Sequence, residues 1–439
     1  MTPWLLLLVA LVSAGLTWNV YHPRYRPATL AILSFFSGWL TGELALHQIA
    51  LQVLITVGLV VLGALSAWPG WIAMPVLLAN WVFLWRSHQQ GHEAADAVER
   101  GLQLGLGADY RSRIFPAVAE RFVEAVDWRA IALPLPMWHA EVERIRNVAY
   151  REVGRHRLRL DVYRHRDRPT GCPTLLQIHG GGWVLGSKNE QGLPLMLHLA
   201  SHGWVCVSAD YRLSPRATFP DPLIDLKHAL RWIREEGPAH GVDPDFVVVT
   251  GESAGGHLAA LVALTANEPV YQAGFEGVDT SVRACVAFYG VYDFTDRHQL
   301  WQHPGLARLL QGRVMKAALD EAREAYELAS PMSRVGASAP PFFVIHGDRD
   351  TMVPVEEARR FVALLREAIP GRVAYAEIPG AQHAFEIFPS LRTTFVVQGV
   401  ERFLAWVYSQ HLAARASGQT PPAEGARMGG YLTAGATRL

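Results

Sequence analysis

The rhythm of apolar and polar positions changes three times along the chain. From Met1 to Tyr21 no Asp, Glu, Lys or Arg interrupts the sequence, and from Ala28 to Trp85 the only one is Glu43; Arg24 and Arg26 stand in the gap. A helix needs about 20 apolar residues to cross a hydrocarbon layer. Trp4 to Tyr21 therefore predicts one span and Ala28 to Trp85 two or three, so that 1–85 is read as three to four transmembrane helices, broken near His47-Gln48 and Trp68-Pro69-Gly70. Trp4, Trp18, Trp39, Trp68, Trp71, Trp81 and Trp85 fall mostly near the proposed helix ends, as expected of an interfacial aromatic belt. A cleaved signal peptide fits poorly, because no basic residue precedes Leu5 and further apolar segments follow at once. A buried helical domain would leave too few charges to face water. Glu43 is expected at a helix end or between helices rather than on a polar path. Arg24 and Arg26 favour a cytoplasmic first loop; four crossings then put everything after Arg86 outside, and three put it inside.

Between Ser87 and Ala140 the chain turns polar. Ala94, Ala95, Val98 and Leu102, and later Val118, Phe122 and Val126, recur at helical spacing, and 86–140 is read as a helical linker or a cap. Arg144 to Tyr150 and Arg157 to Tyr163 alternate polar with apolar residues, the pattern of a half-exposed antiparallel hairpin. Short continuous apolar runs follow at 174–178, 205–209, 246–250, 282–288, 342–345 and 373–378, separated by helical stretches such as Leu223 to Glu236 and Glu356 to Ala368. Runs of this kind suit strands buried on both faces, so 141–412 is expected to be an α/β domain with a mostly parallel sheet and helices on both faces. From Ala413 the chain carries Pro, Gly, Ala and Ser without apolar periodicity, and 413–439 is expected to be a disordered tail.

Composition narrows the function classes. Forty basic and forty acidic residues cancel, and no basic run appears, which excludes a nucleic-acid partner. Cys172, Cys206 and Cys285 are far apart and set in strand-like runs, the pattern of buried core thiols rather than of disulfides or a zinc site.

The candidate chemistry centres on Gly251-Glu252-Ser253-Ala254-Gly255-Gly256, which follows the run Phe246 to Thr250 and precedes the helical stretch His257 to Leu264. Gly-x-Ser-x-Gly between strand and helix is a nucleophile elbow, its serine on a strained turn that flanking glycines leave room for. A serine hydroxyl needs a general base and an acid to orient that base. In this arrangement acid and base follow the serine in that order, each from a loop after a strand. The run Phe342 to Ile345 leads into His346-Gly347-Asp348-Arg349-Asp350, where Asp350 is the acid and Asp348 a turn residue. Only His383 and His411 follow, and His383 sits in a loop directly after a strand, so it is the base. Negative charge developing on the acyl oxygen needs fixed donors. His179-Gly180-Gly181-Gly182-Trp183 supplies them: the N–H groups of Gly181 and Gly182, with that of Ala254. Gly181 to Lys188 also reads Gly-x-x-x-x-Gly-Ser-Lys, but a phosphate loop needs Lys before Ser/Thr.

With these residues in place, 144–412 resembles the hormone-sensitive-lipase-like family of α/β-hydrolases. The likeness rests on His179 to Trp183, on Asp210-Tyr211-Arg212-Leu213-Ser214-Pro215 with Phe219-Pro220, on Gly251 to Gly256, and on Asp350 and His383. It implies an α/β-hydrolase fold with a helical cap and carboxylesterase or lipase activity through a Ser253–His383–Asp350 triad and an acyl-enzyme. It also implies that His179 braces the glycine loop opened by Gly180, and that no metal or organic cofactor is used. Ser87 to Ala140 and Asp293 to Leu328 are the cap candidates. The apolar N-terminus departs from the soluble family pattern and favours lipid-like esters as substrate. Two rivals are an amidase or peptidase of the prolyl-oligopeptidase-like type, which shares the Ser and Asp motifs but adds a propeller-sized domain, and a non-catalytic binding protein, whose sign would be loss of the base.

Overall fold

The structure, a computed structural model, describes residues 1–418. Eight strands form one sheet: β1 (Val142–Val153), β2 (His156–His165), β3 (Cys172–Ile178), β4 (Val205–Ala209), β5 (Val242–Glu252), β6 (Cys285–Phe288), β7 (Phe342–Gly347) and β8 (Val373–Ile378). They lie in the order β1-β2-β4-β3-β5-β6-β7-β8. β1 and β2 pair antiparallel, as do β2 and β4, and every later pair is parallel. The hairpin is half-exposed along β1, whereas every residue of β3, β4, β6 and β7 is buried, which is why the first alternates and the others read as unbroken apolar runs. β6 starts at Cys285, three residues later than the run from Val282 suggests.

The longer helices are α1 (Thr2–Tyr21), α2 (Ala28–Glu43), α3 (Ala45–Val61), α4 (Trp68–Gln90), α5 (Glu93–Leu106), α6 (Leu193–Ser201), α7 (Asp221–Glu235), α8 (Ala254–Leu264), α9 (Val355–Ala368) and α10 (Leu391–Ala416). Helices α7, α8 and α9 bury Leu226, Leu258 and Phe361 on one face of the sheet. Helices α5, α6 and α10 bury Val98, Leu199 and Phe403 on the other. Helix α10 continues to Ala416, past the expected boundary at Ala413, and the rest of the expected tail, from residue 419, lies outside the described residues.

Helix α5 lies within 86–140, the stretch expected as a helical linker or cap, and packs on the sheet. A Cβ on Gly101 would lie 2.1 Å from Tyr375 O, and one on Gly105 2.2 Å from Val373 O. Two glycines one turn apart thus let the α5 backbone lie directly on β8, and Val98 packs against Gly399 of α10. The helix belongs to the layer that covers the sheet. The helical spacing of Val118, Phe122 and Val126 yields only the single turn Pro116–Ala119.

The N-terminal helices are built inside out relative to the sheet. Leu8, Leu11, Leu33, Leu54, Val57 and Trp71 are exposed, while Ser13, Thr17, Ser34, Thr41, Gln52, Thr56 and Asn80 are buried. The buried polar groups join neighbouring helices: Asn80 Nδ2 donates to Gln52 Oε1 (2.8 Å), and Asn19 and Ser34 bond each other. Thr2–Tyr21 and Trp68–Leu106 are long and apolar enough to cross a membrane; the pair Ala28–Glu43 and Ala45–Val61, bent by 85°, makes a third if counted as one span. Length and composition therefore give two or three spans, not four. The first break falls at Leu44 rather than His47-Gln48. The second break falls at 62–67, and Trp68-Pro69 opens α4 directly after it, since a proline in the first turn forfeits no intrahelical bond.

Candidate active site

β5 ends at Glu252 and α8 begins at Ala254, which leaves Ser253 alone on the turn with φ 56° and ψ −118°. A side chain seldom takes that conformation, and the surroundings hold it there. Ser253 N donates to Phe288 O (3.0 Å), and His257 N donates to Ser253 O (3.0 Å). A Cβ on Gly255 would lie 2.0 Å from Ile178 O, and one on Gly251 2.4 Å from Gly255 O. Both flanking glycines are therefore dictated by the close approach of main chain.

The glycine loop after β3 meets this turn, since a Cβ on Gly180 would stand 3.1 Å from Ser253 Cβ. Gly181 and Gly182 have φ of 107° and 58°. Val184 N and Leu185 N both donate to Gly181 O, folding the loop on itself. Among the described residues, the N–H groups of Gly181, Gly182 and Ala254 find no protein acceptor. His179 is buried, bonds Gly180 O through Nδ1 (2.8 Å) and stacks on Tyr211, whose hydroxyl donates to His179 O. Burial lowers the His179 pKa, so a neutral ring does the bracing. Gln191 Oε1 accepts from Gly180 N.

At the same edge of the sheet, the loops after β7 and β8 bring Asp350 and His383 together: His383 Nδ1 and Asp350 Oδ2 are 2.6 Å apart. Asp350 Oδ1 accepts from Met352 N and Val353 N, and His346 Nε2 lies 3.2 Å from Oδ2. Burial works to raise the Asp350 pKa, but the two histidines outweigh it and hold the carboxyl below the usual range. Asp348, expected as a turn residue, accepts from Gly380 N (2.7 Å) and so ties the two loops. The His383 ring packs 4.4 Å from the ring of Tyr289, the residue after Phe288. Among the described residues Ser253 Oγ makes no hydrogen bond, so Asp350 and His383 are joined while the serine stands beside the glycine loop. Bonds of this kind often close only when substrate is bound.

Several groups at this edge carried no signal in the sequence. Gln382 Oε1 accepts from Thr351 N (2.7 Å) and His383 N (2.9 Å), clasping the acid loop to the histidine loop. Beneath them Gln177 Nε2 donates to Glu252 (2.6 Å), and the Tyr289 hydroxyl donates to Glu386. Burial pushes Glu386 up to about 7 and Glu252 well above the carboxylate range.

The least expected neighbour is α2. Phe35 presents its ring edge-on to His383 (centroids 5.8 Å), and Trp39 stacks on Phe388 (5.2 Å). Thr351 Oγ1 donates to Ala31 O, and Arg349 donates to Val20 O of α1. Glu43, at the end of α2 as expected, is buried in an ion pair with Arg392 (3.1 Å) and accepts from Ser390 Oγ. Both cap candidates touch this edge: in 293–328 Leu309 lies against Gly182 and Gly305 against Ala28 of α2, and in 87–140 Gln90 lies against Gly380 of the histidine loop.

A family model described as BD-FAE matches residues 160–365. The probable carboxylic ester hydrolase LipM of Mycobacterium tuberculosis is 40% identical over 419 residues, 92% of this chain and 94% of the relative. Esterase LipQ of the same organism is 39% identical over 325 residues, 72% of this chain and 76% of the relative. Among solved structures, an esterase from Thermogutta terrifontis shares 24% identity, covers 64% of this chain and 97% of its own, and superposes with a TM-score of 0.48.

Proposed function

The chain belongs to the hormone-sensitive-lipase-like family of carboxylic ester hydrolases, and on that premise we propose that Ser253, His383 and Asp350 carry its ester hydrolysis at an edge roofed by membrane-anchoring helices. In this reading His383 Nε2 takes the proton of Ser253 Oγ as the oxygen attacks the ester carbonyl. Asp350 fixes the ring through Nδ1 and offsets the charge it gains. The carbonyl oxygen, now negative, is met by the N–H groups of Gly181, Gly182 and Ala254. His383 returns the proton to the departing alcohol, and a water activated by the same ring then releases the acid from the acyl-enzyme. The 2.6 Å bond between His383 and Asp350, at the same edge as the elbow serine, is the observation that carries the proposal.

The contacts of α2 add the substrate class. A helix with outward apolar side chains places Phe35 on the His383 ring, so the approach to the reacting atoms runs beside a surface suited to hydrocarbon. The reading is of a multi-pass membrane enzyme that takes lipid-like esters, with α2 and residues 293–328 as its cap. Purified full-length protein should turn over p-nitrophenyl esters and take up a fluorophosphonate at Ser253, and Ser253→Ala should do neither. Turnover and labelling that survive that substitution would refute the assignment.

A further inference from the structure

The sheet edge opposite Ser253 carries a cleft of about 800 Å³ bounded by Arg121, Cys172, His202, Trp204, Glu401 and Tyr408. His202 stands at its wall, and His198 lies beside it. His198 lies in the last turn of α6 and His202 caps it, so the two rings project from one side of the helix, one turn apart. Glu401 faces them from the middle of α10, its side chain buried, with Oε2 2.8 Å from His198 Nε2 and Oε1 against His202 Nδ1. The three candidate ligand atoms lie within 4.8 Å of one another. We propose that His198, His202 and Glu401 bind one divalent transition-metal ion of the zinc type.

The donor set fits the chemistry. Two imidazole nitrogens and one carboxylate oxygen are ligands that zinc accepts, and three protein ligands leave one tetrahedral position for water from the cleft. Metal–ligand bonds of about 2.0–2.2 Å put tetrahedral ligand atoms about 3.3 Å apart, so the ion would draw together atoms that now lie within 4.8 Å of one another. The ion would staple α6 to α10 over the sheet. It stands away from the ester chemistry: His202 precedes β4, and the five residues of β4 run about 17 Å toward the edge that carries Ser253. The competing account is a hydrogen-bonded clasp in which both rings donate N–H to Glu401.

The test uses full-length protein without a polyhistidine tag, purified in detergent, stripped with a chelator and titrated with Co²⁺ and Zn²⁺. The site predicts uptake of one Co²⁺ per chain with visible ligand-field absorption, its displacement by Zn²⁺, and a higher unfolding temperature with Zn²⁺. The double substitution His198→Ala/His202→Ala should weaken binding by at least about 100-fold while fluorophosphonate labelling is kept, which reports folding at the distant edge. Glu401→Gln, which keeps shape and a hydrogen-bonding side chain, should lose the Co²⁺ absorption even if the double variant does not fold. No stoichiometric uptake at micromolar metal would overturn the site in favour of the clasp, as would uptake unchanged in either variant.

Discussion

The N-terminal helices and the α/β sheet are both rich in apolar residues, yet they turn them in opposite directions. The sheet buries Val247, Val249, Phe342 and Val344 and leaves charge to the helix surfaces. The helices expose Leu8, Leu33, Leu54 and Val61 and bury Ser, Thr, Gln and Asn between them. In water the first arrangement is driven by apolar burial, whereas in hydrocarbon helices associate through small residues and polar bonds. The two regions meet at the proposed active site, where Phe35 of α2 touches His383. On the proposed reading, the helices with outward apolar side chains form a wall of the chemistry as well as an anchor.

Substitutions on the sheet side should have the largest effects, because they remove the reaction itself. Ser253→Ala should lower kcat for ester hydrolysis by about 10⁴–10⁶-fold, and Asp350→Asn by about 10⁴-fold, both read from steady-state kinetics with binding of a non-hydrolysable analogue retained. If Asp350→Asn left kcat untouched, the 2.6 Å bond to His383 would be structural only.

At the seam between the regions the effect should appear in stability. Glu43→Ala leaves Arg392 buried without its partner, which should cost about 3–5 kcal/mol in denaturant unfolding followed in detergent. A change below about 1 kcal/mol would mean that α2 and the sheet are not coupled there.

Acid unfolding sharpens the same contrast. The folded Asp350 pKa is depressed, so its contribution to stability is present above the unfolded value of about 3.9 and is lost as pH falls through the folded one. Asp350→Asn should therefore cost stability at neutral pH, and the gap from the parent protein should narrow only below about pH 4. A gap that closes near pH 6 would assign the titration to another group.

The smallest effect is expected on the α2 side of the site. Phe35→Ala removes one aromatic contact with His383, worth about 0.5–1.5 kcal/mol, or about 2- to 12-fold in kcat/KM. The loss should be greater for long-chain esters than for acetate. An equal loss across chain lengths would make Phe35 a packing residue without influence on substrate choice.

Much of the sheet side could be read from the sequence, because its signals are local. β4 and β8 occupy the stretches expected from their apolar runs, and the glycines around Ser253 stand where main chain leaves no space for a Cβ. The order of Asp350 and His383 anticipated that their side chains meet. What escaped depends on contacts distant in sequence. The spacing of Ala94, Val98 and Leu102 announced a helix, but not that Gly101 and Gly105 would seat it on β8. Phe35 and Trp39 read as apolar residues of a span, and periodicity does not say that one face of that span meets His383 and Phe388. Gln382 bonds two loops through one oxygen, and an amide in a loop carries no pattern.

The most direct test is kcat/KM along a p-nitrophenyl ester series from acetate to palmitate, measured on full-length protein in phospholipid vesicles with Ser253→Ala as the blank. The account predicts turnover that vanishes in the blank and rises with chain length. Turnover that persists in Ser253→Ala, or that is greatest for acetate, would contradict it.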